Sequence, residues 1–163
     1  MTEPIGMSLE VNGSQHRLSV EPRHLLCDLL RDDLGLTGTN VSCELGVCGV
    51  CTVLLDGKAV RSCLTLAVQA NGTRVETIES LSDGIALHPL QQAFHDHHAL
   101  QCGFCTPGIL MNMSEFLRKN PNPSEAEIRS ALIGNLCRCT GYVHIVRAVK
   151  DAARRLNHSE ENR

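Results

Sequence analysis

Eight of the nine cysteines in this chain fall into two spaced groups, and their placement limits the fold more than any other feature. The first group is Cys43, Cys48, Cys51 and Cys63; the second is Cys102, Cys105, Cys137 and Cys139. Aromatic residues make up only 2% of the 163 residues, so any core must be built from Leu, Val, Ile and Ala. A chain of this length is one ordinary domain or two small ones, and two small ones are marginal without staples. Grouped thiols supply the staples. Disulfides would require an oxidising compartment. The first residues, Met1-Thr2-Glu3-Pro4-Ile5, show no basic stretch, apolar signal core or twin-Arg pair. No apolar run approaches membrane-spanning length. These features predict a cytoplasmic protein with no membrane insertion, where clustered Cys favour metal over disulfide. A net charge of −3 gives no reason to expect nucleic acid.

The apolar pattern changes period part-way along the chain. Alternation over residues 8–20 around Asn12-Gly13 predicts a hairpin with Leu9, Val11, Leu18 and Val20 on its core face. Residues 24–34 read as an amphipathic helix, with Leu26, Leu30 and Leu34 on one face and Asp28, Arg31, Asp32 and Asp33 in solvent. Gly35 closes it. Residues 37–49 are small and aperiodic, a loop carrying cysteines. A second hairpin is expected over 52–55 and 59–63 around Asp56-Gly57, and a last strand over 74–78. Beyond residue 84 the spacing turns helical. Short helices are expected over 89–98 and 108–119, the latter with Ile109, Met113, Phe116 and Leu117 inward. Asn120-Pro121-Asn122-Pro123 breaks the chain. Ser124-Glu125-Ala126-Glu127 is a capping box, opening a helix with Ile128, Leu132 and Leu136 inward. Residues 143–156 form a last helix, burying Ile145, Val149, Ala152 and Leu156. The reading is an α+β domain over 1–80, a helical domain over 81–157 and a polar tail over 158–163.

Cys43-x4-Cys48-x2-Cys51 has the spacing of a plant-type [2Fe–2S] loop, which a distant fourth cysteine completes; here that is Cys63. Gly46 and Gly49 let the backbone turn tightly and aim N–H groups at sulfur. A structural zinc site is the alternative, although zinc usually takes two tight Cys pairs rather than three ligands from one loop. In the second group, Cys102-x2-Cys105 and Cys137-x-Cys139 each precede a helix, and Pro107 suits an early helical position. Helix N-termini that converge there would stabilise an anionic thiolate centre. Zinc again remains open.

Three stretches now carry a resemblance. Cys43-Glu-Leu-Gly-Val-Cys48-Gly-Val-Cys51-Thr-Val, Gln101-Cys-Gly-Phe-Cys105-Thr-Pro-Gly and Gly134-Asn-Leu-Cys137-Arg-Cys139-Thr-Gly-Tyr occur in this order. Together they resemble the small iron–sulfur subunit of the xanthine oxidase family of molybdenum hydroxylases. That family includes carbon monoxide dehydrogenases, aldehyde oxidoreductases and N-heterocycle hydroxylases. The likeness covers about residues 5–156. Val50, where Ala is common, and Cys27 depart from the pattern.

The resemblance implies a ferredoxin-like β-grasp domain followed by a four-helix [2Fe–2S] domain. It implies that Cys43, Cys48, Cys51 and Cys63 hold the cluster nearest FAD, and that Cys102, Cys105, Cys137 and Cys139 hold the cluster nearest molybdenum. Gln101 and Cys139 would also touch the pterin. A large subunit would carry the molybdopterin cofactor and a medium subunit FAD, in a dimer of heterotrimers. Electrons would pass singly from molybdenum through both clusters to FAD. The chain contains no dinucleotide fingerprint or phosphate loop of its own, so substrate and catalytic base would sit on another chain. A free-standing two-cluster ferredoxin and a zinc-stabilised interaction module are the competing functions.

Other residues have plainer readings. Cys27 is expected in the core of the first helix. His88, His95, His97 and His98 are expected at a solvated surface or subunit interface. Asp32-Asp33 and Glu160-Glu161 read as solvated faces. Arg138 reads either as a charge that tunes a cluster or as an interface anchor.

Overall fold

The computed structural model describes residues 3–161. Strands β1 (Ile5–Val11) and β2 (Ser14–Val20) form the first hairpin, and β3 (Thr52–Leu55) and β4 (Lys58–Arg61) the second. Each turn places both central residues at positive φ: Asn12 and Gly13 at 51° and 81°, Asp56 and Gly57 at 47° and 76°. That is the turn geometry whose twist matches a hairpin. Strand β5 (Arg74–Glu76) lies between the hairpins, parallel to β1 and antiparallel to β3, giving the order β2-β1-β5-β3-β4.

The first helix departs from the expected regular one. α1 (Leu26–Asp28) is a single turn, and the chain continues as a π-helical turn (Leu29–Asp33). Leu34 N–H reaches back five residues to the Leu29 carbonyl at 3.1 Å. The wider turn buries Leu26, Leu29 and Leu30 together and leaves Leu34 half-buried. These leucines pack on Met7, Leu9, Val11, Val20, Val53 and Val75, so the sheet grasps the helix. Leu18 only borders this core. Cys27 is fully buried, and Asp32 and Asp33 are exposed, as expected.

Two expected strands stop short. β4 ends at Arg61, so Cys63 sits on a 3-10 turn (Ser62–Leu64) rather than on a hairpin strand. β5 ends at Glu76, and Ile78 opens another 3-10 turn (Ile78–Ser80).

The helical part comprises, among the described residues, α2 (Pro89–Asp96), α3 (Thr106–Lys119), α4 (Glu125–Ala131) and α5 (Val143–Glu161). Its core is Leu90, Phe94, Ile109, Met113, Leu117, Ile128, Leu132, Ile145, Val149 and Ala152, separate from the sheet's core. Each of these side chains larger than alanine contributes roughly 1.5–3 kcal/mol by leaving water. The Ser124–Glu127 capping box forms, with Ser124 N–H on the Glu127 carboxylate at 2.8 Å and Glu127 N–H on Ser124 Oγ at 3.3 Å. Leu136 does not join the inner face. α4 stops at Ala131, Gly134 turns the chain at φ +89°, and Leu136 is left 54% exposed. α5 runs past residue 156 to Glu161, where a polar tail was expected. Residues 162 and 163, and the side chains of Glu160-Glu161, lie outside what is described.

α3 joins the two parts. It packs against β3, and its Glu115 carboxylate accepts the Ala59 N–H of edge strand β4 at 2.8 Å.

Candidate metal centres

The first cysteine group is built by a loop that the sheet and α1 hold at both ends. Glu44, Gly46 and Gly49 adopt positive φ of 53°, 72° and 74°. This winding points the N–H groups of Leu45 and Cys48 at Cys43 Sγ, each at 3.4 Å. Those donors, Cys48 first, lower the Cys43 thiol to about 6. Cys51 and Cys63 form the deep side, at 2% and 4% exposure. They lie within hydrogen-bonding reach of each other, and burial pushes the Cys63 thiol up to about 11.

Glycine is required where the loop meets the helical part. A Cβ on Gly49 would stand 2.2 Å from the Gly134 carbonyl oxygen, and one on Gly108 would stand 2.4 Å from the Gly49 oxygen. Backbones approach that closely because polar groups cross the gap. Leu136 N–H donates to the Cys48 carbonyl at 2.8 Å, and Asn135 Nδ2 to the Gly49 carbonyl at 3.1 Å. Asn112 Nδ2 donates to Asn135 Oδ1 at 2.7 Å, and Arg61 Nη2 to the Gly134 carbonyl at 2.8 Å. Asn40 ties the other flank, donating to the Phe104 carbonyl at 2.9 Å.

The second group sits where α3 and α5 begin. Cys105 is the N-cap of α3, with Pro107 in its first turn, and Cys137 and Cys139 precede α5. Cys139 and Cys102 sulfurs stand 3.6 Å apart, and both residues are exposed. Cys105 faces Cys137; burial, then this neighbour, pushes the Cys105 thiol up to about 12. The Cys137 thiol is lowered despite its burial, because Thr140 Oγ1 lies 3.1 Å from its sulfur and backbone N–H groups face it. The Cys139 thiol is raised by its hydrogen bond with Cys102. Gln101 Nε2 donates to the Cys139 carbonyl at 3.1 Å, so the two residues expected to share a partner are already joined.

The thiols therefore meet in twos: Cys102 with Cys139, Cys105 with Cys137, Cys51 with Cys63, and Cys43 with Cys48. Among the described residues, no three His, Cys, Asp or Glu groups converge as they would around one metal ion. A single tetrahedral zinc at ~2.3 Å from each sulfur needs all four sulfurs about 3.8 Å apart. Two-by-two thiols, glycine cradles and inward N–H groups fit a rhomb of two irons at each place.

The histidines do not gather. His88 Nδ1 caps α2 by accepting the Leu90 N–H at 3.2 Å, and burial lowers its pKa. His97 pairs with Asp151 at 3.1 Å, His95 lies 3.4 Å from Asp96, and His98 is exposed. Arg138 lies exposed between Cys137 and Cys139. The struts Asn40, Arg61, Asn112 and Asn135 carry no periodic signal. Only the fixed stretch Gly134-Asn-Leu around the second group could have drawn attention to Asn135.

Residues 9–80 match the family described as the 2Fe-2S iron-sulfur cluster binding domain, and residues 77–150 the [2Fe-2S] binding domain. Over 151 residues the chain is 56% identical to the nicotine 6-hydroxylase small subunit of Paenarthrobacter nicotinovorans, covering 93% of this chain and 91% of that one. It is 52% identical over 150 residues to caffeine dehydrogenase subunit gamma of Pseudomonas sp. (strain CBB1), covering 90% of each. Its fold superposes on quinoline 2-oxidoreductase from Pseudomonas putida 86 with a TM-score of 0.93 at 50% identity, covering 98% of this chain and 99% of that one. The chain belongs to the small [2Fe–2S] subunits of the xanthine oxidase family of molybdenum hydroxylases. In the aldehyde oxidoreductase of Desulfovibrio gigas the same fold recurs with a TM-score of 0.90 at 44% identity, there over 17% of a longer chain.

As a small subunit of this family, the chain is an electron-transfer component of an oxidoreductase with a [2Fe–2S] domain in each half. Its relatives are subunits of multi-subunit enzymes. Among the described residues, no helix is long and apolar enough to cross a membrane.

Proposed function

We propose that this chain relays electrons from a molybdopterin centre on a large partner subunit to FAD on a medium partner, in a cytoplasmic dimer of heterotrimers. Cys43, Cys48, Cys51 and Cys63 hold the centre on the FAD side. Cys102, Cys105, Cys137 and Cys139 hold the one on the molybdenum side, where Gln101 and Cys139 meet the pterin. A bound [2Fe–2S] cluster accepts and passes one electron at a time. The domain carrying the first centre spans 1–80 and that carrying the second 81–157, with residues 158–161 continuing α5.

The observation that carries this reading is the Leu136 N–H on the Cys48 carbonyl, beside Cys137. It brings the loop of the first thiol group against the approach to the second, which supports a relay between them. Exposed apolar residues neighbour each group in sequence: Leu100 and Phe104 beside Cys102, and Leu45, Val47 and Leu64 beside the first group. Exposed apolar residues grouped in this way mark surfaces that partners cover.

Native purification tests it. Two larger chains should copurify, and the reduced complex should show two distinct paramagnetic [2Fe–2S] signals. A native protein running alone at 17.8 kDa overturns the partner reading. Cys102→Ser should disturb one signal, spare the other and slow electron flow to flavin; unchanged spectra and turnover overturn the ligand assignment.

A further inference from the structure

Cys27 is the cysteine that no centre uses, and it is not isolated. It forms one buried group with Cys51 and Cys63, walled by Leu25 and Val41. A buried free Cys often serves as a small hydrophobe. That role needs only apolar neighbours, whereas two of these neighbours are thiols. The backbone also holds Cys27 against the turn that carries Cys63. Leu26 N–H donates to the Thr65 carbonyl at 2.8 Å and Ala67 N–H to the His24 carbonyl at 2.8 Å, with a β-bridge between Leu25 and Leu66. The anchors bracket residue 27 on one side and residue 63 on the other. Cys43 and Cys48, on the more exposed side of the loop, stand outside this group.

We propose that Cys27 is a reserve ligand of the first centre, able to complete its four-sulfur set when Cys51 or Cys63 is lost. This rests on the ligand assignment proposed above. In the exchange, the iron bond of the lost sulfur is replaced by one bond to Cys27 Sγ. As the sulfur bonds to iron, the Cys27 proton passes to solvent by way of the partly exposed Asp28 carboxylate, which the thiol faces at 3.4 Å. No electron is gained or lost. Full burial of Cys27 keeps exogenous thiols from the same place. The reserve acts on the deep pair alone.

The test uses the copurified complex, with iron content per chain and low-temperature paramagnetic spectra of the reduced protein as readouts. Cys27→Ala should keep all its iron and both signals. Cys63→Ala should also keep its iron, with the first signal shifted. Cys27→Ala/Cys63→Ala should lose the first signal and half the iron, and Cys43→Ala should lose as much with Cys27 present. Retention of the second signal shows in every variant that the chain is folded. Cys51→Ala, compared with its own Cys27→Ala double, gives the same reading where Cys63→Ala does not assemble. The inference is overturned if the single variants lose as much iron as the doubles. If Cys43→Ala and Cys63→Ala both leave the first signal unshifted, the ligand assignment itself fails instead.

Discussion

The Tyr142 hydroxyl accepts the Cys137 N–H at 2.8 Å and donates to the Asn135 carbonyl at 3.1 Å. Tyr142 stands at φ +67°, a region that bulky side chains rarely occupy. Thr140 Oγ1 accepts its N–H at 3.2 Å and also faces Cys137 Sγ. The turn carrying Cys137 is therefore fixed by the phenol from one side and a hydroxyl from the other. Backbone strain of this kind costs about 1–3 kcal/mol and persists only where the surroundings over-determine it.

Tyr142→Phe keeps the ring and removes both bonds. It leaves a half-buried N–H and a carbonyl unpaired, a loss of about 1–3 kcal/mol of stability. Thermal unfolding should fall accordingly. The cluster signal that responds to Cys102→Ser should shift, and the other should stay in place. A shift confined to the other signal would contradict the geometry.

Asn135→Ala acts on the joint between the centres. Asn135 is 1% exposed, and its amide both donates to Gly49 and accepts from Asn112. Truncation removes both bonds, but the Gly49 carbonyl still accepts Thr52 Oγ1 at 2.6 Å, and Asn112 keeps its bond to the Ala131 carbonyl at 2.8 Å. With no partner left unpaired, the expected loss is about 0.5–1.5 kcal/mol for each bond removed. Unlike Tyr142→Phe, this change should disturb both cluster signals, because the loop of one centre and the approach to the other share the side chain. Spectra with one signal untouched would show that the joint is not shared.

The cysteine groups and both hairpins were legible because they are written locally. Spacing sets the loop, and Asn-Gly and Asp-Gly set the turns. The capping box at Ser124 was legible for the same reason. What escaped depends on contacts distant in sequence. A regular helix over 24–34 fits the leucine spacing, but adjacent Leu29 and Leu30 both reach the sheet core only through a π turn. Leu136 continues the period of Ile128 and Leu132, yet its N–H is needed by Cys48, and Gly134 breaks the helix to deliver it. The same distance hides Asn112, Asn135 and Arg61, whose partners lie on another segment.

Gly108→Ala sets two effects against each other. Alanine in a helix is favoured over glycine by about 0.8–1.0 kcal/mol. The new Cβ would stand 2.4 Å from the Gly49 oxygen and 2.7 Å from the Val50 oxygen, backbone atoms that cannot rotate away. Overpacking typically costs about 1–3 kcal/mol, so destabilisation wins. It should be accompanied by loss of the centre held by the Cys43 loop. Gly57→Ala is the control: it has open space at φ +76° and pays only the left-handed backbone cost, about 1–2 kcal/mol. A Gly108→Ala protein as stable as wild type, with both clusters intact, would show that the loop yields.

Removing the iron should expose an order of thiol reactivity. Cys102 and Cys139 are exposed, whereas Cys27, Cys51 and Cys63 are buried. Backbone N–H groups hold the Cys43 thiol at about 6, against an ordinary 9.0. Its reactive thiolate therefore dominates at pH 7 and is lost only as pH falls through about 6. Cys105, pushed up to about 12, stays protonated throughout this range. Brief iodoacetamide treatment of the iron-free chain at pH 7, read by peptide mass spectrometry, should label Cys43 first, with the exposed Cys102 and Cys139 behind it, Cys139 held back by its raised thiol. Cys105 should follow slowly, and Cys27, Cys51 and Cys63 last. Lowering the pH from 7 to 5 should reduce Cys43 labelling steeply, and unfolding in urea should bring all nine thiols to similar rates. Equal labelling in the folded chain would mean that the first loop and its N–H donors do not hold their shape without iron.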